Sequence, residues 1–204
     1  MGTLTNKELF FNGFVKVLKE QKFDVRLKAW DSDKDAAISA HKLILSARSE
    51  VFKMMLESDK CMASSMLETI TLSELKHEEL EAFVEFIYSD GSMLSKKAKQ
   101  HVMSLYRAAE KYEIPYLRDL CRNELITSLN SLNALKVLEL AQIPFDQVLF
   151  DAALSRIIDN ISTISTSTDF KNFVVNHPCL TVTIVKAISV KGHCCIHCRR
   201  FPFR

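Results

Sequence analysis

The chain has 204 residues and a formal net charge of +2, and its 48% hydrophobic and 25% charged content is typical of globular proteins. A balance so close to neutral gives no field strong enough to point to nucleic acid or an anionic membrane as partner. Four glycines and four prolines leave little material for tight turns, a glycine-rich phosphate loop or a flexible linker, so helices are expected to dominate. The start, Met1-Gly2-Thr3-Leu4-Thr5-Asn6, lacks a basic region followed by an apolar run, and Asn6 stands where a myristoylated sequence has Ser or Thr. No stretch approaches the ~18 apolar residues of a membrane span. No span is therefore expected, and cytosol, nucleus or both are the expected compartments. Cys61, Cys121, Cys179, Cys194, Cys195 and Cys198 are read as reduced thiols rather than a disulfide framework.

In chain order, Lys7 to Gln21 carries Leu9, Phe10, Phe11, Phe14, Val15, Val17 and Leu18. On a helix all but Leu9 fall in an arc of about 160°, wider than the ~100° stripe that one core needs. Two readings follow: a terminal helix sunk deeply into its own domain, or one that packs on its own domain and on a second subunit. Phe23 to Ala29 alternates apolar and polar residues as a half-buried strand does, Asp31 to Asp35 is a turn, and Ala37-Ile38 completes a hairpin.

From Ile38 to Leu56, apolar residues at 43, 44, 47, 51, 52 and 55 predict a central helix with Ser39 as candidate N-cap. A polar loop spans Ser58 to Leu67, and Glu68-Thr69-Ile70-Thr71-Leu72 alternates as a third strand. Leu80, Phe83, Val84, Ile87 and Tyr88 predict an amphipathic helix. Further helices are read around Leu105 and around Leu117 to Leu125, the latter with Pro115 at or near its first turn. Beyond Asn130 the pattern is helical throughout, with breaks at Ile143-Pro144-Phe145 and His177-Pro178. Such short helices bury their apolar stripes only against each other.

Catalytic groups are not expected. His41, followed by Lys42 at the start of the central helix, is not read as a general base, and Ser46 and Ser49 lack the glycine-bounded turn of a nucleophile elbow. Cys195-x-x-Cys198 has the spacing of half a zinc site, but no second pair is evident elsewhere, so neither metal nor cofactor is expected and the tail is read as frayed. Weak metal binding or acylation beside Arg199-Arg200 are the alternatives.

Ala40-His41-Lys42-x-x-Leu45 followed by Arg48-Ser49-Glu50-Val51-Phe52 resembles the centre of a BTB/POZ domain. Leu72 to Leu75 with Glu81 to Asp90 is similar to that family's strand-helix unit, and Leu105 to Tyr112 with Leu117 to Cys121 to its following helices. Asn133 to Ala141 and Phe173 to Pro178 resemble the helical extension of speckle-type POZ proteins. The resemblance covers about Lys7 to Ser189. It implies an α+β BTB/POZ fold, a helical cluster capped by a small sheet, followed by an all-helical extension. The expected divisions are a dimerisation helix at 1–21, a BTB/POZ domain at 22–127, the extension at 128–189 and a Cys/His/Arg tail at 190–204.

The same resemblance implies a homodimeric adaptor of a cullin-RING ubiquitin ligase, with a cullin scaffold and a protein substrate as partners. The rival reading is a scaffold or transcription co-regulator without ubiquitin chemistry. The MATH domain that precedes the BTB domain in speckle-type relatives is not expected before Lys7, so substrate would be recruited by the extension or by another chain. Dimer contacts are expected at Phe10, Phe14, Val17, Phe23, Asp24, Val25 and Lys42, with Asp24 and Lys42 as paired charges near the interface. Cullin contacts are expected at Met62, Met66 and Glu68, because Met66-Leu67-Glu68 matches the family's hydrophobic-x-Glu pattern. Met66 and Glu68 also fit as ordinary loop and strand residues.

Overall fold

The computed structural model describes residues 5–31, 36–58 and 68–198, with backbone alone at 7, 8, 19, 58 and 191–198. The chain forms two compact units, Met1–Glu124 and Leu125–Arg204, each with its own core. No single helix among the described residues is long and apolar enough to cross a membrane.

The first unit begins with α1 (Asn6–Lys19), followed by β1 (Val25–Ala29) and β2 (Ile38–Ala40). β1 lies in the middle of a small sheet, antiparallel to β2 with Leu27 opposite Ile38, and parallel to β3 (Glu68–Leu72) with Val25 opposite Glu68. The alternation read from the sequence is the cause of this placement. Val25, Leu27 and Ala29 are fully buried on the core face, while Arg26 points to solvent.

The segment expected as one central helix is two. Ile38 and Ser39 belong to β2, so Ser39 is no N-cap; α2 (Lys42–Arg48) follows His41, and α3 (Glu50–Ser58) starts after a break at Ser49. Ser49 is extended, at φ −149° and ψ 122°. Its hydroxyl accepts the Phe52 N–H at 3.1 Å, capping α3, and donates to the Tyr112 carbonyl at 2.5 Å. The break resets the helical phase. Ile44, Leu45, Phe52 and Leu56 are buried, whereas Leu43, Ala47, Met54 and Met55 are exposed.

After β3 come α4 (His77–Ile87), α5 (Lys96–Gln100), α6 (Val102–Lys111) and α7 (Pro115–Thr127), inside which the boundary between units falls. Side chains meet the free donors at the start of α4. Glu79 takes the Lys76 N–H at 2.9 Å, and Asp31, just past β1, takes the His77 N–H at 2.8 Å. At its other end Arg48 donates to the carbonyls of Ile87 and Ser89, supplying positive charge where helix carbonyls are left over. Gly91 turns the chain at φ +77°, and a Cβ there would stand 3.4 Å from the Arg48 guanidinium. Pro115 opens α7, where its missing N–H costs nothing.

Phe52, Phe83 and Tyr112 form the centre of this core. The rings of Phe52 and Tyr112 stack at 4.4 Å and 4°, with Phe83 tilted against both. The Tyr112 hydroxyl donates to Glu74, and burial first, then that hydrogen bond, pushes the phenol far above its ordinary range. Burial, with Glu124 adding to it, pushes the Cys121 thiol up to about 12 from its ordinary 9.0. Both groups hold their protons more tightly folded than unfolded, so their contribution is complete below the unfolded values and lost as pH rises. The urea midpoint is therefore expected to fall steadily once pH exceeds about 9. A midpoint that stays level from neutrality to pH 11 would contradict this account.

The second unit holds α8 (Ala134–Leu140), α9 (Gln147–Asp159), α10 (Ile161–Ile164), α11 (Thr168–Asn176) and α12 (Pro178–Cys198). α8 packs on α9 and α11, and α12 on α9 and α11. Ala134, Leu138, Leu149, Ala153, Ile157 and Ile184 close the core. Asp146 caps α9 through the Leu149 N–H and Ser167 caps α11 through the Phe170 N–H, each at 3.1 Å. The frayed tail is corrected in part: α12 continues through Cys198.

Candidate protein-interaction surface

α1 is held to its unit on one side only. Val15 is buried and Phe11 lies under the Arg48 guanidinium, 5.5 Å from its ring centroid. The other side is left open, with Phe10 76%, Phe14 42% and Val17 56% exposed. Phe10 and Phe14, one turn apart, stack in near-parallel planes at 6.3 Å. The arc that looked too wide for one core is thus divided, part inward and the larger aromatic part outward. An apolar face of this kind is a site for another protein surface.

Phe23 is partly exposed and its ring leans on His41 at 4.8 Å. Val25 differs from the other expected dimer contacts: it is fully buried in its own sheet and has no surface to offer a second copy. The expected pairing of Asp24 with the Lys42 charge is also corrected. Asp24 accepts the Lys42 backbone N–H at 2.7 Å, which fixes the start of α2, while the Lys42 ammonium pairs with Glu68. Glu68 lies at the first position of β3, so its carboxylate is a strand side chain already engaged, with one oxygen buried and without a hydrogen-bond partner. Met62 and Met66 lie outside the described residues.

Leu43, Met54 and Met55 belong to the exposed apolar surface of the same unit, and only the first and last were singled out as apolar in the sequence, both as core. The signal that would have identified them is Ser49: a residue with helix-capping chemistry inside an apolar run marks a place where a helix can restart its phase.

His41 is structural. It is buried, its backbone N–H donates to the Tyr88 hydroxyl at 2.8 Å, and that hydroxyl sits 2.7 Å from Nδ1. Nε2, on the other side of the ring, faces the Gln21 carbonyl at 3.5 Å. Tyr88→Phe is expected to strand the buried donor and lower stability by about 1–3 kcal/mol, read as a shift in the urea midpoint. An unchanged midpoint would show that water replaces the hydroxyl. Among the described residues no group of His, Cys, Asp and Glu side chains converges as a metal site, and the side chains of Cys195 and Cys198 lie outside them.

A small sheet edged by hairpin and crossover, a helical cluster over it and an exposed aromatic helix make a module for binding proteins. The BTB/POZ domain profile matches residues 15–129. Two putative BTB/POZ domain-containing proteins of Arabidopsis thaliana are similar to this chain. One is 61% identical over 98% of this chain and 100% of its own, and the other 66% identical over 92% and 98%. A further BTB/POZ domain-containing protein of the same plant is 56% identical over 98% and 97%. Among solved structures the BTB domain of zebrafish PATZ1 covers 63% of this chain and 100% of its own, at 16% identity and a TM-score of 0.45. The chain belongs to the BTB/POZ domain family, and its domain is followed by a helical extension.

Proposed function

We propose that this protein is a non-catalytic, homodimerising adaptor that brings protein substrates to a cullin-RING ubiquitin ligase. The observation that carries the dimer is the outward aromatic face of α1, on a helix whose other side is already attached. The sequence pattern Met66-Leu67-Glu68, which runs into the start of β3, supports the cullin contact, and the helical extension offers a surface for a substrate.

Titration of purified cullin N-terminal domain tests the assignment. Met66→Asp removes the burial of a Met side chain, about 1.5–3 kcal/mol, and adds an unpaired carboxylate, so affinity should fall about ten-fold or more. Glu68→Lys is the poorer probe because it also breaks the pair with Lys42. Absence of binding by the wild-type chain would overturn the ligase reading in favour of a scaffold or transcription co-regulator. Undiminished binding by folded Met66→Asp would move the contact elsewhere.

A further inference from the structure

We propose that α12 lays its outward face on an anionic lipid surface, a contact independent of the adaptor reading. The helix buries Leu180 and Ile184 against its own unit and turns valines the other way: Val182, Val185 and Val190 are 52%, 55% and 73% exposed. At ~100° per residue these valines and Lys186 fall within about 140° of one another, so they share a face. Lys186 is exposed beside them.

The near-neutral charge of the whole chain conceals a local imbalance. From Phe170 onward the sequence contains no Asp or Glu, and its charged residues are Lys171, Lys186, Lys191, Arg199, Arg200 and Arg204. A soluble helical surface ordinarily intersperses both signs. Among the described side chains of α12 the one charged group is Lys186, and it stands beside exposed aliphatic side chains.

The hydroxyls on and beside the exposed face narrow the choice of partner. Thr181 donates to the His177 carbonyl at 3.0 Å, Thr183 to Cys179 at 3.2 Å, and Ser189, between Val182 and Val185 on the helical wheel, to Val185 at 3.0 Å. Each turns back onto its own helix, so the face presents few free polar groups for matching a protein partner. Nucleic acid would use the lysines and arginines and leave the valines unpaired. A bilayer suits both features, taking valines at the acyl boundary and lysines at the headgroup level. The contact is interfacial, since no single described helix is long and apolar enough to span.

Co-sedimentation of the full chain with phosphatidylcholine vesicles, with and without phosphatidylserine, tests this. Binding is expected to the anionic vesicles at about 0.1 M salt and to fall at least ten-fold near 1 M, where the screening length drops from about 10 Å to about 3 Å. Lys186→Glu should weaken it at least about five-fold, the usual contribution of one basic residue near such a surface. Val182→Asp with Val185→Asp should weaken it ten-fold or more. Met93→Asp, at an exposed apolar position in the other unit, should leave it unchanged. All these side chains are exposed, and circular dichroism checks that each variant is folded. No binding by wild type, equal binding to neutral vesicles, or indifference to the α12 substitutions would overturn the proposal. So would capture of poly-glutamate as tight as that of anionic vesicles, which would assign the face to an acidic protein segment.

Discussion

Phe52→Ala is expected to lower the stability of the first unit by about 3–5 kcal/mol, the range for emptying a well-packed aromatic site. Phe52 is completely buried and stacks face to face on Tyr112, with Phe83 against both rings, so the hole would be lined by two rigid aromatics that collapse poorly. A domain's whole stability is about 5–15 kcal/mol, so the change removes a large part of it. Tyr112→Phe separates packing from polarity. It keeps the stack and removes only the hydroxyl bond to Glu74, at a cost of about 1 kcal/mol. Urea titrations of the two variants beside the wild type give the comparison. Equal, small losses for both would mean that the aromatic cluster is not the centre of the core.

Replacing both Phe10 and Phe14 with Asp is expected to convert a dimer to monomers. Burying each phenylalanine is worth about 1.5–3 kcal/mol. In a two-fold dimer each substitution appears twice, so the loss is at least about 6 kcal/mol and the dissociation constant rises about ten-thousand-fold or more. Both residues are exposed in the single chain, so the monomer should keep its fold and its far-ultraviolet dichroism. Sedimentation at micromolar concentration is the measurement. A wild-type chain that sediments as a monomer there would refute homodimerisation, and a variant that remains dimeric would place the interface off α1.

Where one residue pattern met one core, the sequence was legible. The alternation of β1 and β3, the apolar stripe of α4 and Pro115 at the head of α7 all appear where local periodicity places them. Reading failed where a single side chain interrupts a long pattern or where distant residues decide. A stripe spanning Ile38 to Leu56 looks continuous because the apolar spacing survives the break at Ser49. The hydroxyl's bond to Tyr112, 63 positions away, cannot be inferred from spacing. The Lys42 ammonium likewise has an attractive nearby candidate in Asp24, and only the parallel pairing of β1 with β3 brings Glu68 into reach instead. Val25 was placed at a subunit interface by the family resemblance. The pleat turned it the other way.

The one-sided attachment of α1 has a kinetic consequence. A helix of 14 residues is marginal by itself, and this one has few buried side chains to hold it. Its backbone amides should therefore exchange with solvent deuterium through local fraying, at rates far above those of Leu27 or Phe83, whose amides open only when the whole unit unfolds. Exchange measured across a dilution series would then read assembly directly. Protection of α1 would rise with protein concentration while that of the sheet stayed constant, and a partner that covers Phe10 and Phe14 would act as a folding template for the first four turns of the chain.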